Sequence, residues 1–213
     1  MHCLVIAGGV ADDLPADGKS LGRYDVIVCA DGGVHNAHRL GLQPDVVIGD
    51  LDSLGDEERE QLQTAGCRFF VHPAEKNETD LELALLWCVQ AGISTATVIG
   101  ALGGRPDHAV ANLLLLTDPR FATMQLCLRS REWEVWPVRS EVTITGLAGD
   151  TVSLIPISAA VDGIHTQGLA YPLHGESLLR GPARGVSNVM LNTVAHLHIE
   201  SGLLLVMHGP PQN

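Results

Sequence analysis

Six short apolar runs rich in β-branched residues punctuate the first two thirds of the chain: CLVIAG, DVIVCADGG, DVVIGDLD, CRFFVH, ATVIGALGG and MQLCLRS. They show little polar alternation, which suits strands covered on both faces, as in a parallel sheet. Helix-like segments lie between them. GVHNAHRLG is one, and residues 53–66 form another with Gly66 as the stop. NETDLELALLWCVQAG opens at a cap-type Asn77 or Thr79 and ends at Gly92, and RPDHAVANLLLL places Pro106 in a first turn. Strand and helix alternating on this scale predict an α/β fold, a doubly wound, mostly parallel sheet over residues 1–131. From residue 132 the segments become short, alternating and broken by Gly or Pro, and TVAHLHIE and LLLVMH suit antiparallel strands. A small all-β sandwich domain is expected over 132–213. With 213 residues, 46% of them hydrophobic, the chain buries one large core or two modest ones, which argues against disorder.

The formal net charge of −12, with no basic run to offset it, argues against a nucleic acid or an anionic membrane surface as partner. An anionic ligand would then need the help of a metal. No apolar stretch is long enough to span a bilayer. The amino-terminal MHCLVIAGG lacks a basic segment and reads as a first strand, not a signal peptide. Five cysteines, an odd number without a C-x-x-C pair, read as reduced core thiols of a cytoplasmic protein.

The chemistry concentrates where the strands stop. In VVIGDLDS, residues 46–53, strand alternation would point Asp50 and Asp52 together and return Leu51 to the core. Two adjacent carboxylates repel, and a cation relieves them. In isolation the same residues also read as an Asx-capped turn. The coincidence of several strand ends favours a shared site, because doubly wound sheets bind ligands outside the carboxyl ends of their strands. Asp31, Gly32 and Gly33 follow the second run, Asp50 and Asp52 the third, and Gly103, Gly104, Arg105 and Asp107 the fifth. Glu78, Thr79 and Asp80 open a helix, where the dipole favours anions, although a helix-start acid on a solvated face has the same signature. Lys76, one of two lysines with Lys19, is placed to meet a phosphate or to remain solvated. DLPADGKS ends like a phosphate-binding loop, but Asp13 stands where a glycine is required and Pro15 interrupts it.

Taken in order, CADGGVHNAHRLGLQPDVVIGDLDSL, EKNETDLELAL, GALGGRPDHAVANLLLL, TQGLAYPL and GVSNVM resemble the thiamine pyrophosphokinase (thiamine diphosphokinase) family. The combination A-D-G-G, G-D-x-D-S, T-D-x-E and G-G-R-x-D-H is far more specific than any one member. The resemblance implies an ATP-dependent diphosphotransferase that converts thiamine to thiamine diphosphate and releases AMP. It implies a homodimer in which an α/β domain holds nucleotide and Mg2+ and a β-sandwich domain supplies much of the thiamine pocket across the dimer interface. Asp50, Asp52 and Asp80 match the magnesium-binding acids, and Asp31, Gly32 and Gly33 the turn near the nucleotide phosphates. Lys76, Thr79, Gly104 and Arg105 are candidate phosphate contacts. Asp107 is a candidate for metal or water contact and for a general base. His108 and Asn112, four apart on one helix face, read as nucleotide contacts or as a cap and a core hydrogen bond. Ser187 and Asn188 are the candidates for contacting thiamine, and the same S-N pair also suits a tight hairpin turn. Val189 departs from the family pattern, which has an acid there, and no tryptophan follows Trp136. Tyr171 is then a possible platform for the thiamine rings, against its reading as a core tyrosine. The rival readings are a pyrophosphokinase of another primary alcohol, such as a pterin, and a non-catalytic nucleotide or thiamine sensor.

Overall fold

The computed structural model describes residues 1–212, and the chain divides into two compact units, Met1–Arg131 and the part from Glu132 onward. The first unit alternates strand and helix: β1 His2–Ile6, β2 Val26–Ala30, α1 Gly33–Arg39, β3 Val46–Gly49, α2 Asp56–Thr64, β4 Arg68–Val71, α3 Asp80–Gln90, β5 Thr95–Ile99, α4 Pro106–Leu115 and β6 Gln125–Arg129. Its strands lie in the order β6-β5-β1-β2-β3-β4, and every adjacent pair is parallel. The chain therefore runs outward from β1 to one edge, returns to the other side of β1, and leaves a topological switch point between β1 and β5. That is where an open α/β sheet offers a ligand crevice.

Both faces of the central strands are covered, which is why their runs are continuously apolar. Leu4 and Ile6 pack in one cluster with Val34 and Ala37 of α1 and Leu62 of α2. Cys3, of opposite parity, meets Cys88 of α3 with the sulfurs 3.6 Å apart. The CRFFVH run differs from the expected fully covered strand. As β4 it forms the sheet edge, with Val71 66% exposed and Phe70 leaning on Trp87. An edge strand has a neighbour on one side only, so its apolar residues are only partly sheltered.

The helix ends follow local chemistry. At α3 the side chain of Thr79, not Asn77, caps the helix by accepting the Glu82 amide at 3.2 Å. The 53–66 segment turns helical only at Asp56, and Gly66 (φ 90°) ends it in the left-handed conformation. The DLPADGKS stretch contributes only two single 3-10 turns, at Ala11–Asp13 and Lys19–Leu21. α4 carries no fully buried residue although it is largely apolar, and Val110 and Leu114 are 56% and 50% exposed. Among the described residues no helix is long and apolar enough to cross a membrane.

The second unit is all β: β7 Glu134–Val138, β8 Glu141–Thr145, β9 Thr151–Pro156, β10 Ala160–Gln167, β11 His174–Leu179, β12 Asn188–Val189, β13 Val194–His198 and β14 Leu204–Gly209. Two antiparallel layers, β12-β9-β14-β7 and β11-β10-β13-β8, enclose a core that includes Ile144, Leu154, Ile164, Leu178, Leu197 and Val206. Alternation is clean on β13, where Ala195 and Leu197 point inward and His196 and His198 outward.

A buried carboxylate ties the end of this unit together. Asp150 Oδ2 accepts the Leu147 amide at 2.7 Å and meets His208 Nε2 at 2.9 Å. The Leu147 amide, aided by His208 and opposed by burial, holds the carboxyl below the usual aspartate range. A depressed folded-state value stabilises the fold above the unfolded value near 3.9, and the contribution is lost as pH falls through the lower folded value. Asp150→Asn should destabilise the protein by about 1–3 kcal/mol at pH 7, and the gap to wild type should close below about pH 4. Urea unfolding at pH 7, 5 and 3 measures it, and a gap independent of pH would refute the assignment.

Candidate active site

A cleft of about 630 Å³ opens at the carboxyl ends of β1, β2, β3 and β5. Its floor is the Ala7–Gly8–Gly9 loop after β1, joined to β5 by Ala7 N–H to Ile99 O at 2.9 Å and Gly9 N–H to Gly100 O at 2.8 Å. Asn36 locks this floor from below. It is buried on α1, and its side-chain amide donates to Ala7 O at 2.8 Å and Gly9 O at 2.9 Å. Beside it α1 lies hard against β1, and a Cβ on Gly33 would stand 2.0 Å from Ile6 O.

The acids come from the next two strands. Asp31, at φ 37°, follows β2, and its amide extends the sheet by donating to Ile48 O at 2.8 Å. Asp50 and Asp52 do converge, but by a different device from strand alternation, because β3 already ends at Gly49. Leu51 adopts a left-handed φ of 62° while its side chain is buried, and this turn swings both aspartates to one side. Arg59 of α2 holds the turn by donating to Leu51 O. Such a backbone costs of order 1–3 kcal/mol and persists where surrounding contacts enforce it.

Carboxylate oxygens of Asp31, Asp50 and Asp52 lie within 4.8 Å of one another. The charges of Asp50 first and Asp31 next push the Asp52 carboxyl above its ordinary range. Asp31 Oδ1 is buried and has no hydrogen-bond partner. An orphaned acceptor in a cage of hard oxygens, with no imidazole or thiolate, suits a magnesium-like cation.

Asp80 stands apart from the expected trio with Asp50 and Asp52. It approaches the cluster from the start of α3, and Gly49 makes this possible: a Cβ there would lie 2.8 Å from Asp31 Cβ and 3.1 Å from Asp80 Oδ1. Its carboxylate pairs with Lys76, whose Nζ is 2.9 Å from Asp80 Oδ1 and 3.9 Å from Asp50 Oδ2. Burial works against the lysine's charge, but Asp80, Asp50 and Asp31 outweigh it and leave the ammonium's pKa raised. Asp31 is instead the third member of the tight carboxylate group.

The far wall holds Gly103, Gly104, Arg105, His108 and Asn112, with Gly32, Lys76, Thr79 and Asp80 also lining the cleft. Asn112 is occupied in a structural bond to Ala101 O at 2.8 Å, and His108 is exposed. Asp107 does not line the cleft. Arg105 grips it at 2.5 Å and, as the leading cause, holds its carboxyl down at about 2. A carboxylate so acidic is a poor proton acceptor at neutral pH, so the Arg105 pairing disfavours a general-base role while it holds.

In the second unit Ser187 is exposed at φ 59°, its amide bonded to Ser153 Oγ at 3.0 Å. Asn188 is buried and engaged: Oδ1 accepts the amides of Tyr171 at 3.0 Å and Val189 at 2.9 Å, and Nδ2 donates to Tyr171 O at 2.7 Å. It clamps a loop and keeps one side-chain N–H beyond these bonds. The Tyr171 held by this clamp is 71% exposed, the reverse of a core tyrosine.

Sequence reasoning missed Gly8, Gly9, Asn36 and Arg59. The first two were signalled by MHCLVIAGG, which ends in the same strand-then-glycine pattern as the other site loops, and Asn36 by being a polar residue on the buried face of a helix.

Two family models match in series, one described as "Thiamin pyrophosphokinase, catalytic domain" over residues 18–128 and one as "Thiamin pyrophosphokinase, vitamin B1 binding domain" over 138–204. A thiamine pyrophosphokinase of Bacillus subtilis is 24% identical over 207 residues, covering 96% of this chain and 97% of its own. Thiamine pyrophosphokinase 1 of Oryza sativa subsp. japonica is 26% identical over 208 residues, covering 85% and 78%. Among solved structures, thiamin pyrophosphokinase from Geobacillus thermodenitrificans superposes with a TM-score of 0.85 at 27% identity, over 100% of this chain and 99% of that one.

Proposed function

The chain belongs to the thiamin pyrophosphokinase family, and from that premise we propose that it is a thiamine diphosphokinase whose first-unit cleft holds ATP. The hydroxyl oxygen of thiamine attacks the β-phosphorus of ATP in line. The bond from that phosphorus to the α,β-bridging oxygen breaks, AMP leaves with the bridging oxygen, and the hydroxyl proton is released. The observation that carries this reading is the convergence of Asp31, Asp50 and Asp52, with Lys76 and Asp80 adjoining, at the strand ends of a cleft large enough for a nucleotide.

Asp31, Asp50 and Asp52 would hold magnesium, and Asp80 would stand ready to join them. Bound there, magnesium supplies positive charge against the phosphate oxygens as charge builds in the transition state. The repulsion that raises Asp52 is the reserve such an ion relieves. Lys76 contributes a fixed, sheltered ammonium for a phosphate oxygen. Gly8, Gly9 and Gly32 keep the loops bare so that phosphates can approach main-chain amides. Arg105, 71% exposed at its side chain, has the reach to close on the polyphosphate. No strong base stands out among the residues matched to the family's motifs, so positioning and electrostatics supply most of the acceleration.

On the acceptor side, Ser187 and Tyr171 are the thiamine contacts, with Asn188 holding Tyr171 in place. Tyr171→Ala should raise the KM for thiamine about tenfold, the loss of one ring-stacking contact, and leave the KM for ATP unchanged. Steady-state kinetics with each substrate varied in turn decides it, and an equal rise in both values would count against the assignment.

The active species is a homodimer. The apolar, unsheltered face of α4 supports this, since Val110 and Leu114 have the exposure of interface residues. Val110→Glu combined with Leu114→Glu should convert the dimer to monomer in sedimentation equilibrium, and a dimer that persists would place the interface elsewhere. Cys3, Cys29, Cys67 and Cys88 are buried free thiols, which fits a reducing compartment such as the cytoplasm.

An assay for AMP with ATP, magnesium and thiamine tests the function. AMP formation that requires thiamine supports it. AMP formed only with another alcohol, such as a hydroxymethyl pterin, or no AMP with any acceptor, overturns it.

A further inference from the structure

A cluster on the back of the site loops plays no part in the reaction just described. His35 and His38 stand three residues apart on α1, close after Asp31, and so leave neighbouring positions on one helix face. Glu58 of α2 faces both, its Oε1 lying 3.5 Å from His35 Nδ1 and 3.4 Å from His38 Nδ1. These separations exceed ordinary N–H···O bonds of about 2.7–3.2 Å. They match the edge of a tetrahedron around zinc, which is about 3.3–3.4 Å when metal–nitrogen and metal–oxygen bonds are about 2.0–2.1 Å.

We propose that His35, His38 and Glu58 form a site for a borderline divalent cation of the zinc class, with water completing the coordination. Two of its three donor edges already have the required length. The third, between the imidazoles, is longer than 4.8 Å, since the only donor triad within that distance among the described residues is Asp31, Asp50 and Asp52, and ion binding has to shorten it by turning the side chains. The side chains of His35 and His38 are 50% and 43% exposed and that of Glu58 25%, so the rings are free to rotate and water has access. Two neutral nitrogens and one carboxylate favour Zn2+, Co2+ or Ni2+ over Mg2+, whereas the all-oxygen cluster in the cleft has the opposite preference.

The position gives the site a consequence. α1 follows the turn that carries Asp31, with the His35 amide bonded to Gly32 O at 3.2 Å. Glu58 precedes Arg59, which holds the turn between Asp50 and Asp52. An ion joining the two helices staples together the loops that present the acids.

The test uses the full-length protein, stripped of metal and then held in excess magnesium so that the hard-oxygen cluster is saturated. Zinc titration should show one bound equivalent and a thermal midpoint that rises with free zinc. His35→Asn, His38→Asn and Glu58→Gln should each weaken zinc binding at least tenfold and abolish the rise, with the zinc-free midpoint unchanged. Glu58→Gln, which keeps the side-chain shape, separates loss of a ligand from loss of the fold. Asp52→Asn and His198→Asn should retain the site. Cobalt in place of zinc should give tetrahedral visible absorption that disappears in the same three variants. A wild-type midpoint indifferent to zinc, or a zinc-dependent rise that survives in the His35→Asn, His38→Asn double variant, would overturn the proposal.

Discussion

Replacing Asp52 by asparagine is expected to lower turnover with ATP and thiamine by a factor on the order of 10² or more and to leave the fold intact. Both halves of that expectation come from the same geometry. Asp52 is exposed and bears no core contact, so the substitution creates no cavity. It does remove one of three carboxylates crowded within 4.8 Å, and Asp50 and Asp31 raise the carboxyl that is removed. The metal-free variant should therefore melt at or slightly above the wild-type temperature while catalysis collapses, the trade expected where a site stores repulsion for a ligand to relieve. Activity and melting curves measured on one preparation decide the matter. Near-normal turnover at limiting magnesium would sink the role given to Asp52.

Gly33→Ala should damage stability and activity together, whereas Gly32→Ala should leave stability nearly intact. A Cβ on Gly33 would lie 2.0 Å from Ile6 O and 2.8 Å from Ile6 C, atoms of the central strand's main chain that have no alternative rotamer. α1 must move off β1 to make room, taking Asp31 and the Asn36 bonds with it. Overpacking against backbone costs about 3 kcal/mol or more. At Gly32 the nearest atom to such a Cβ is Ser53 Oγ at 3.7 Å, and the local φ of −56° is helical. Equal effects of the two substitutions in urea unfolding would show that the crowding under α1 is relieved in some other way.

The α/β class was legible because burial on both faces imposes continuous apolar runs, and the change to all-β structure because one-sided burial imposes alternation. The edge position of β4 was not legible, since CRFFVH has the same composition whether it has two neighbours or one. Asp31, Asp50, Asp80 and Lys76 were visible as polar residues placed where strands stop or a helix starts, and the structure brings them together. The device that joins Asp50 to Asp52 was hidden, because a left-handed leucine has no sequence signature. Asp107 and Asn188 expose the same limit from the other side. Each lies in a motif that the family resemblance marks for ligands, but the Tyr171 clamp is decided by a partner distant in sequence and the Arg105 grip by rotamer choice. Tyr171 carries no periodic pattern that would have told an exposed ring from a buried one.

The parallel order β6-β5-β1-β2-β3-β4 also fixes when the site can exist during folding. No hairpin or single helix contains it. Asp31 meets Asp50 only after β2 and β3 have paired, and the floor closes only when Gly9 bonds to Gly100 across a long span of chain. Parallel pairings of this kind are among the slowest contacts a chain makes, because the loops between them must close before any contact rewards them. The crowded carboxylates thus come together only with the tertiary pairing of β2 and β3, and the cleft around them only with the far longer-range pairing of β1 and β5. Catalytic competence is for that reason a marker of the completed sheet, absent from any collapsed intermediate that has merely buried its leucines and valines.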